Sequence, residues 1–126
     1  MRLYLAGPMT GYPRWNFDAF HLAAAALRAK GYTVLSPAEM DLTAGFDPDA
    51  PVEEFTLQDR QRALRNDLRV ILDRSDAIAV LPDWEKSAGA SIEVAVAKAI
   101  GRAVLEVDDL LQADLRTFRD LEVYPV

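Results

Sequence analysis

The sequence predicts one α/β domain over residues 1–126, a flavodoxin-like or Rossmann-like three-layer sandwich with a parallel sheet of four or five strands. Two observations lead to this prediction. Short apolar runs that stop at glycine or proline alternate with longer segments of helical periodicity, a pattern typical of βαβ units. The chain has 126 residues, close to the usual size of a single domain. At this length a flavodoxin-like strand order is favoured over the full dinucleotide-binding fold.

The composition favours a small-molecule protein over a nucleic-acid or membrane protein. With 51% hydrophobic and 27% charged residues the chain can bury a core. A net charge of -6 argues against general binding to nucleic acid backbones, which needs a basic face. The absence of cysteine excludes thiolate chemistry. No apolar run approaches the roughly 18–20 residues of a membrane span, and the N-terminal one is too short for a signal peptide, so we expect a cytoplasmic protein.

The first predicted strand is Leu3–Ala6, which ends at Gly7-Pro8. The loop over residues 7–13 holds two glycines, two prolines and Thr10. Glycines let backbone amides approach a ligand closely, and the start of the next helix adds a positive dipole. The loop is therefore a candidate phosphate cradle. An ordinary strand-to-helix turn is the alternative, because the loop matches neither a dinucleotide fingerprint nor a P-loop.

The first helix is predicted to begin at an Asn16 cap and to end at Gly31. His21 lies on this helix and is the only histidine of the chain. Without a second histidine nearby, a helix-flank role is favoured over metal binding. Tyr32–Leu35 forms the second strand.

The segment Pro37–Pro51 is predicted to be irregular. Loops of this length are often lids over a binding site. The alternative is a solvated, partly mobile loop, and we favour this alternative for most residues of the segment. A calcium loop is a third possibility that the missing EF-hand pattern disfavours. Its acidic residues are Glu39, Asp41, Asp47 and Asp49.

Leu57–Asp73 is predicted to be a strongly amphipathic helix. Asp67 lies at the edge of its apolar stripe, and Arg60 precedes it by seven residues on nearly the same line. Two interpretations stay open: a surface pair of Arg60 with Asp67, or a carboxyl group pointed at the edge of the sheet near a site. The apolar stripe consists of Leu57, Leu64, Leu68, Ile71 and Leu72.

The third strand and the next helix form the centre of the functional prediction. Ala77–Leu81 is a buried strand, and Ala88–Ile100 is a helix whose only charges are Glu93 and Lys98. Carboxylates are almost never fully buried unless they are paired or used, so Glu93 calls for an explanation. The turn between strand and helix lies at the carboxyl end of a parallel strand, where open α/β sheets bind ligands. Because this helix is apolar on most sides, we also expect a homodimer or higher homo-oligomer.

The chain is predicted to end with a fourth strand and a short helix. The strand covers Ala103–Val107, and Asp108, Asp109 and Leu110 begin a short helix that contains the segment LLQADLRTF, which ends at residue 118. The apolar tail over residues 121–126 is predicted to be a short strand or a packed tail.

Two motifs resemble the nucleoside 2-deoxyribosyltransferase superfamily. The first is YLAGPMTG over residues 4–11, with Asn16-Phe17 after it, and the second is DWEKSAGASIE over residues 83–93. Asp67 stands on the helix between them. The chain is similar above all to a small phage and bacterial branch with the pattern LAGPMTG … LPxWExSxGAxxE, in a superfamily that also holds 2'-deoxynucleoside 5'-phosphate N-hydrolases. The resemblance covers about residues 2–105.

The resemblance implies a role for each matching residue. Glu93 would attack the anomeric carbon of the sugar, Asp67 would assist base departure or proton transfer, and Tyr4 would orient the nucleophile. The loop around the 5' end of the sugar or its phosphate would be Gly7, Pro8, Met9, Thr10 and Gly11, and the turn that binds the substrate's phosphate side would comprise Asp83, Ser87 and Gly89. The transferases complete their site with a neighbouring subunit near the C-terminus, and residues 108–126 do not match that segment.

The residue types fit this chemistry. A carboxylate can capture the oxocarbenium-like centre that forms when a glycosidic bond breaks, and a second carboxyl group handles the proton. Neither a metal nor a cofactor is required, and the partner would be a nucleoside or nucleotide. Transfer to a base or to water would make the protein a transferase or a hydrolase. A non-catalytic nucleotide-binding module is the alternative function, and a structural or oligomerisation protein is a third.

Overall fold

The computed structural model describes residues 1–113 and contains a four-stranded parallel sheet in the order β2-β1-β3-β4. This arrangement confirms the predicted α/β sandwich and its flavodoxin-like strand order. Residues 114–126, with most of the predicted C-terminal helix and the apolar tail, lie outside the described part. The elements are β1 Arg2–Ala6, α1 Phe17–Ala29, β2 Thr33–Leu35, α2 Pro37–Thr43, α3 Leu57–Arg74, β3 Ala77–Val80, α4 Ala88–Ala99, β4 Ala103–Glu106 and α5 Val107–Gln112.

The alternation of side chains along β1 divides the core into two layers. Leu3 and Leu5 pack with α1 and α5 on one face of the sheet, whereas Tyr4 and Ala6 pack with α3 and α4 on the other. Every one of these four residues is fully buried, because a central parallel strand is covered on both faces. The strand register therefore points Tyr4 towards α3 and α4.

The sheet has its switch point between β1 and β3. The chain leaves β1 towards β2 on one side and leaves β3 towards β4 on the other, so the two connections diverge at the carboxyl ends of the central strands. The Leu81 amide donates to the Ala6 carbonyl at 2.8 Å and extends this pairing beyond β3. Open α/β sheets bind ligands in such a crevice.

The prediction that the segment Pro37–Pro51 after β2 is irregular is partly wrong, because this segment contains α2 over Pro37–Thr43. Pro37 occupies the first turn, where its fixed φ suits a helix and its missing amide costs nothing. The Met40 amide donates to the Ser36 carbonyl and closes that turn. Only the stretch over residues 44–56 is irregular, apart from a 3-10 turn at Val52–Glu54.

The start of α1 differs from the predicted cap. Asn16 stands at the cap position, but its side chain amide donates to the Pro8 carbonyl at 2.9 Å instead of accepting from the helix. Arg14, Trp15 and Asn16 all have positive φ, at 49°, 57° and 62°. Non-glycine residues are strained there, so this turn depends on surrounding contacts such as the bond to Pro8.

The outer helices also depart from prediction. In the predicted stripe of α3, Leu57 is 69% exposed and Leu72 45% exposed, whereas Ile71 is fully buried. Arg60 donates to the Thr10 hydroxyl, and no ion pair joins Arg60 to Asp67 in the described structure. The last helix begins at Val107, directly before its predicted start at Asp108. Within residues 1–113, no helix is long and apolar enough to cross a membrane.

We expect Gly7→Ala to lower the free energy of unfolding by about 1–3 kcal/mol. A Cβ at Gly7 would lie 2.8 Å from the Leu81 Cβ, where the ends of β1 and β3 approach each other. Urea unfolding measures the change, with Gly89→Ala as the matched control, since a Cβ at Gly89 would meet nothing within 4 Å. Equal stability of Gly7→Ala and the wild type would contradict the packing argument.

Candidate active site

A buried tyrosine–carboxyl pair lies at the centre of the candidate site. The Tyr4 hydroxyl, on β1, donates a hydrogen bond to Oε2 of Glu93, on α4. Tyr4 is completely buried and Glu93 only 6% exposed. The two residues meet because Tyr4 points to the α3–α4 face of the sheet and Glu93 lies on the buried side of α4. No arginine or lysine within the described range forms an ion pair with Glu93.

Five further carboxyl groups line a cavity with Glu93, and burial raises the pKa of two of them, Asp41 and Asp67. Asp67, on α3, and Asp41, on α2, are both partly buried and line the same cavity of about 540 Å³. Gly7 forms part of its wall, which places the cavity at the carboxyl end of β1. The three predicted catalytic residues are thus brought together, and Asp41 joins them.

Burial dominates the electrostatics of this cluster. It raises the pKa of Glu93 to about 7, although the hydrogen bond from Tyr4 opposes the rise. Burial, followed by the charges of Glu93 and Asp41, raises the pKa of Asp67 to about 8. Burial alone raises the pKa of Asp41 to about 6. The Tyr4 pKa lies well above its ordinary value because of burial and the neighbouring carboxylates.

These pKa values separate the roles of two neighbouring carboxyl groups. Near neutral pH Asp67 keeps its proton and can act as an acid, while a substantial fraction of Glu93 is ionised and can act as a nucleophile. Tyr4 stays protonated and keeps donating to Glu93. The arrangement can therefore supply a proton to a leaving group and capture an electrophilic carbon.

The predicted glycine loop contributes part of the cavity wall. Gly7, Met9 and Thr10 line the cavity, whereas Pro8 and Gly11 do not. Pro8 is instead buried, and its carbonyl accepts the hydrogen bond from Asn16. Gly11 is exposed with φ 86°, a turn position that favours glycine.

The start of α4 also faces the cavity. The Ser87 hydroxyl caps the helix by accepting from the Ala90 amide at 3.2 Å, and Ser87, Gly89 and Ala90 all line the cavity. The first amides of a helix have no partner within it and attract anions. This helix end is therefore suited to the phosphate or hydroxyl end of a ligand.

Asp83 does not belong to this cavity, contrary to the prediction. It has φ 67° and forms an ion pair with Lys86 at 3.4 Å. The left-handed backbone turns the chain there, so Asp83 lines a separate cavity of about 180 Å³ beside Trp84 and Glu106. Ser87, at the other end of the turn between β3 and α4, lines the larger cavity.

An aromatic wall was missed by the sequence reasoning. The rings of Trp15, Phe46 and Phe55 pack against one another with centroids 4.9–5.8 Å apart, and all three line the cavity. The Arg60 guanidinium lies 5.7 Å from the centre of the Phe55 ring. These three aromatic residues are spread over residues 15–55 without any periodicity, so the sequence pattern gave no sign that they form one wall.

Asp41 was also missed, having been assigned to a solvated loop. Its sequence did contain a signal, since it follows the buried Pro37 and Ala38 by four and three residues. On a helix these residues share one face, and that face is turned inwards. Recognising α2 would have placed Asp41 beside the site.

Metal-ligating clusters are absent from the part of the chain that the structure describes. His21 packs edge-on against Phe17, with ring centroids 6.0 Å apart. It is half-buried on the flank of α1, away from the carboxyl cluster.

Comparisons with known proteins agree with this fold. A family model described as "Domain of unknown function (DUF4406)" matches residues 1–106. A solved structure, the 2-deoxyribosyltransferase of the psychrotolerant bacterium Bacillus psychrosaccharolyticus, is similar with a TM-score of 0.65 and 21% identity over 93% of this chain and 95% of that one. This likeness shows a shared fold. No curated protein matches the chain.

Proposed function

The chain belongs to the family described as a domain of unknown function, DUF4406, and from its own site we propose that it cleaves or transfers an N-glycosidic bond. The substrate is a nucleoside, in particular a deoxynucleoside, or its 5'-monophosphate. Glu93 is the nucleophile, Asp67 the acid, and Tyr4 the residue that orients Glu93. The observation that carries the proposal is that Glu93 and Asp67 line one cavity while the Tyr4 hydroxyl donates to Glu93 from the buried strand β1.

The proposed reaction has two steps. In the first, a Glu93 carboxylate oxygen attacks the anomeric carbon, the bond from that carbon to the base nitrogen breaks, and the Asp67 proton passes to the departing base. The product is a glycosyl ester on Glu93. In the second, water or another base attacks the same carbon, the ester bond breaks, and Asp67 receives the proton of the acceptor.

The Tyr4 hydrogen bond supports this assignment. It engages Oε2 of Glu93 and leaves Oε1 as the attacking oxygen, while it restricts rotation of the carboxylate. A fixed nucleophile reduces the entropy lost on reaching the transition state. Because Tyr4 is completely buried on a central strand, its own position is determined by the sheet.

The cavity walls support a nucleoside-like ligand. Its volume of about 540 Å³ lies within the range of small-molecule sites. The aromatic wall of Trp15, Phe46 and Phe55 offers apolar surface to a planar base. The first turn of α4 offers amides to the 5' hydroxyl or phosphate. The fold shared with a 2-deoxyribosyltransferase is consistent with this chemistry.

A homo-oligomer is part of the proposal. On α4, Ile92 is 44% exposed, and Ile100, just after the helix, is 39% exposed. A second copy of the chain would cover these side chains and could supply residues to the open side of the cavity. Sedimentation equilibrium of the wild type and of Ile92→Asp determines the assembly state.

Base release tests the proposed function. The protein is incubated with nucleosides, 2'-deoxynucleosides and their 5'-monophosphates, with and without a second free base, and the products are separated by chromatography. Release in water identifies a hydrolase, and exchange that requires the second base identifies a transferase. If no substrate turns over while one nucleotide raises the melting temperature, the protein is a binding module and the catalytic proposal fails.

A further inference from the structure

Of the six carboxyl groups that line the cavity, burial raises the pKa of three, Asp41, Asp67 and Glu93, and the proposed reaction uses only two of these three. Asp41 lines the cavity with Asp67 and Glu93 but has neither an ion pair nor a side-chain hydrogen bond within residues 1–113. Other acidic residues of the same segment do have such contacts: Glu39 pairs with Arg28, and Asp49 with Arg14. A partly buried carboxyl group without a counter-charge is costly, so its presence at this place calls for a role.

Three carboxylates cannot all be ionised in this cavity at low cost. Two like charges in a partly buried site repel each other more strongly than in bulk water, because the effective dielectric constant there is lower, about 20. Like charges in a shared site therefore separate in pKa, and at least one group keeps its proton. The distribution of protons then depends on how deeply each group is buried.

Among Asp41, Asp67 and Glu93, Asp41 is the group that gives up its proton first. It is less deeply buried than Asp67 and Glu93, and burial raises its pKa only to about 6. The pKa values of Glu93 and Asp67 lie above it, at about 7 and about 8. Near neutral pH the cavity therefore contains the Asp41 anion beside protonated Asp67.

We propose that Asp41 is a positioning residue whose carboxylate keeps the proton on Asp67 and thereby maintains Asp67 as the acid of the site. Asp41 does not exchange protons with the substrate in this account. Its negative charge makes ionisation of Asp67 unfavourable across the cavity. The assignment of Asp67 as the acid rests on the proposed function, whereas the coupling between Asp41 and Asp67 is a property of the free protein.

Two cations, Arg60 and Arg62, also line the cavity, but neither forms an ion pair with Asp41 or Asp67 within residues 1–113, and Arg62 pairs with Asp59. Arg28 on α1 is engaged by Glu39, and Arg60 on α3 contacts the Thr10 hydroxyl and the Phe55 ring. Solvent screens exposed charges at the cavity mouth more strongly than buried ones. The charged or titratable groups that line the cavity with Asp41 are Asp47 and Glu54 in the segment after α2, Asp59, Arg60, Arg62 and Asp67 on α3, and Glu93 on α4, while Tyr4 on β1 is bonded to Glu93.

Carboxyl titration by NMR tests the coupling without any substrate. The side-chain carboxyl 13C signals of the ligand-free protein are followed from pH 4 to 10 in the wild type, Asp41→Asn and Asp41→Glu, with the Asp67 signal assigned from Asp67→Asn. In Asp41→Asn we expect the Asp67 midpoint to fall by roughly 0.5–1.5 pH units. In Asp41→Glu it should return towards the wild-type value. An unchanged Asp67 midpoint in Asp41→Asn would overturn the proposal.

Glu54→Gln is the matched control, because Glu54 is an exposed carboxylate that lines the same cavity. Its removal should leave the Asp67 midpoint in place, and a shift as large as that of Asp41→Asn would refute a specific role of Asp41.

If base release is found, the alkaline limb of its pH–rate profile should move to lower pH in Asp41→Asn by the same amount as the NMR midpoint of Asp67. A uniform loss of kcat at every pH without displacement of that limb would instead make Asp41 a substrate contact. A shifted NMR midpoint in a protein without turnover would sustain the coupling and refute the proposed function alone.

Discussion

Glu93→Gln is expected to lose at least about 1,000-fold in kcat/KM for base release, which corresponds to about 4 kcal/mol of transition-state stabilisation. Glutamine has nearly the size of glutamate and can still accept the hydrogen bond from Tyr4. An amide oxygen is a poor nucleophile, however, so the covalent step is lost. Steady-state kinetics on the substrate found in the panel measures the change.

Glu85→Gln is the matched control for that experiment. Glu85 is an exposed carboxylate on the turn that leads into α4, and it does not line the larger cavity. We expect its kcat/KM to equal that of the wild type. Activity of Glu93→Gln within tenfold of the wild type would show that another group attacks the sugar.

Asp67→Asn is expected to lower kcat by about 100- to 10,000-fold, because the departing base no longer receives a proton in the transition state. The loss should be smaller for substrates whose base leaves easily as an anion. A comparison of several bases with graded leaving-group pKa values measures this dependence. Equal losses for all bases would mean that Asp67 binds the substrate and does not protonate it.

The same variant should make the fold more stable at alkaline pH. The unfolded chain ionises Asp67 near its ordinary pKa of about 4, whereas the folded protein retains the proton to about pH 8. The folded state therefore loses stability as the pH rises between these two values. Asp67→Asn removes this loss and should gain on the order of 2–4 kcal/mol at pH 8 and little at pH 4. Urea unfolding at both pH values checks the difference, and a variant less stable than the wild type at pH 8 would contradict the argument.

The sequence was sufficient for the sheet and for its central residues. Short continuous apolar runs and their glycine or proline stops mark the strands. The side-chain alternation along β1 then places Tyr4 on the face of the sheet that packs against α3 and α4. A carboxylate in an otherwise apolar helix marked Glu93, and the structure buries it against Tyr4. Asp67 was ambiguous by spacing, and three-dimensional contacts were needed to separate it from Arg60.

The remaining parts of the site depend on contacts between distant segments. The aromatic wall joins residues that are 31 and 40 positions from Trp15, and no local pattern connects them. Asp41 was overlooked because a proline and several acids were taken as loop signals, although proline is common in the first turn of a helix. Asp83 was included by motif alone, and its left-handed backbone directs it elsewhere.

The most direct measurement of the central account is the mass of the Glu93 peptide after an acid quench during turnover. The protein is mixed with its best substrate, quenched within milliseconds to seconds, digested and analysed by mass spectrometry. We expect a sugar adduct on Glu93 that disappears when acceptor is in excess and never forms in Glu93→Gln. Rapid turnover with no adduct on Glu93 at any time, together with a Glu93→Gln protein that remains active, would contradict it.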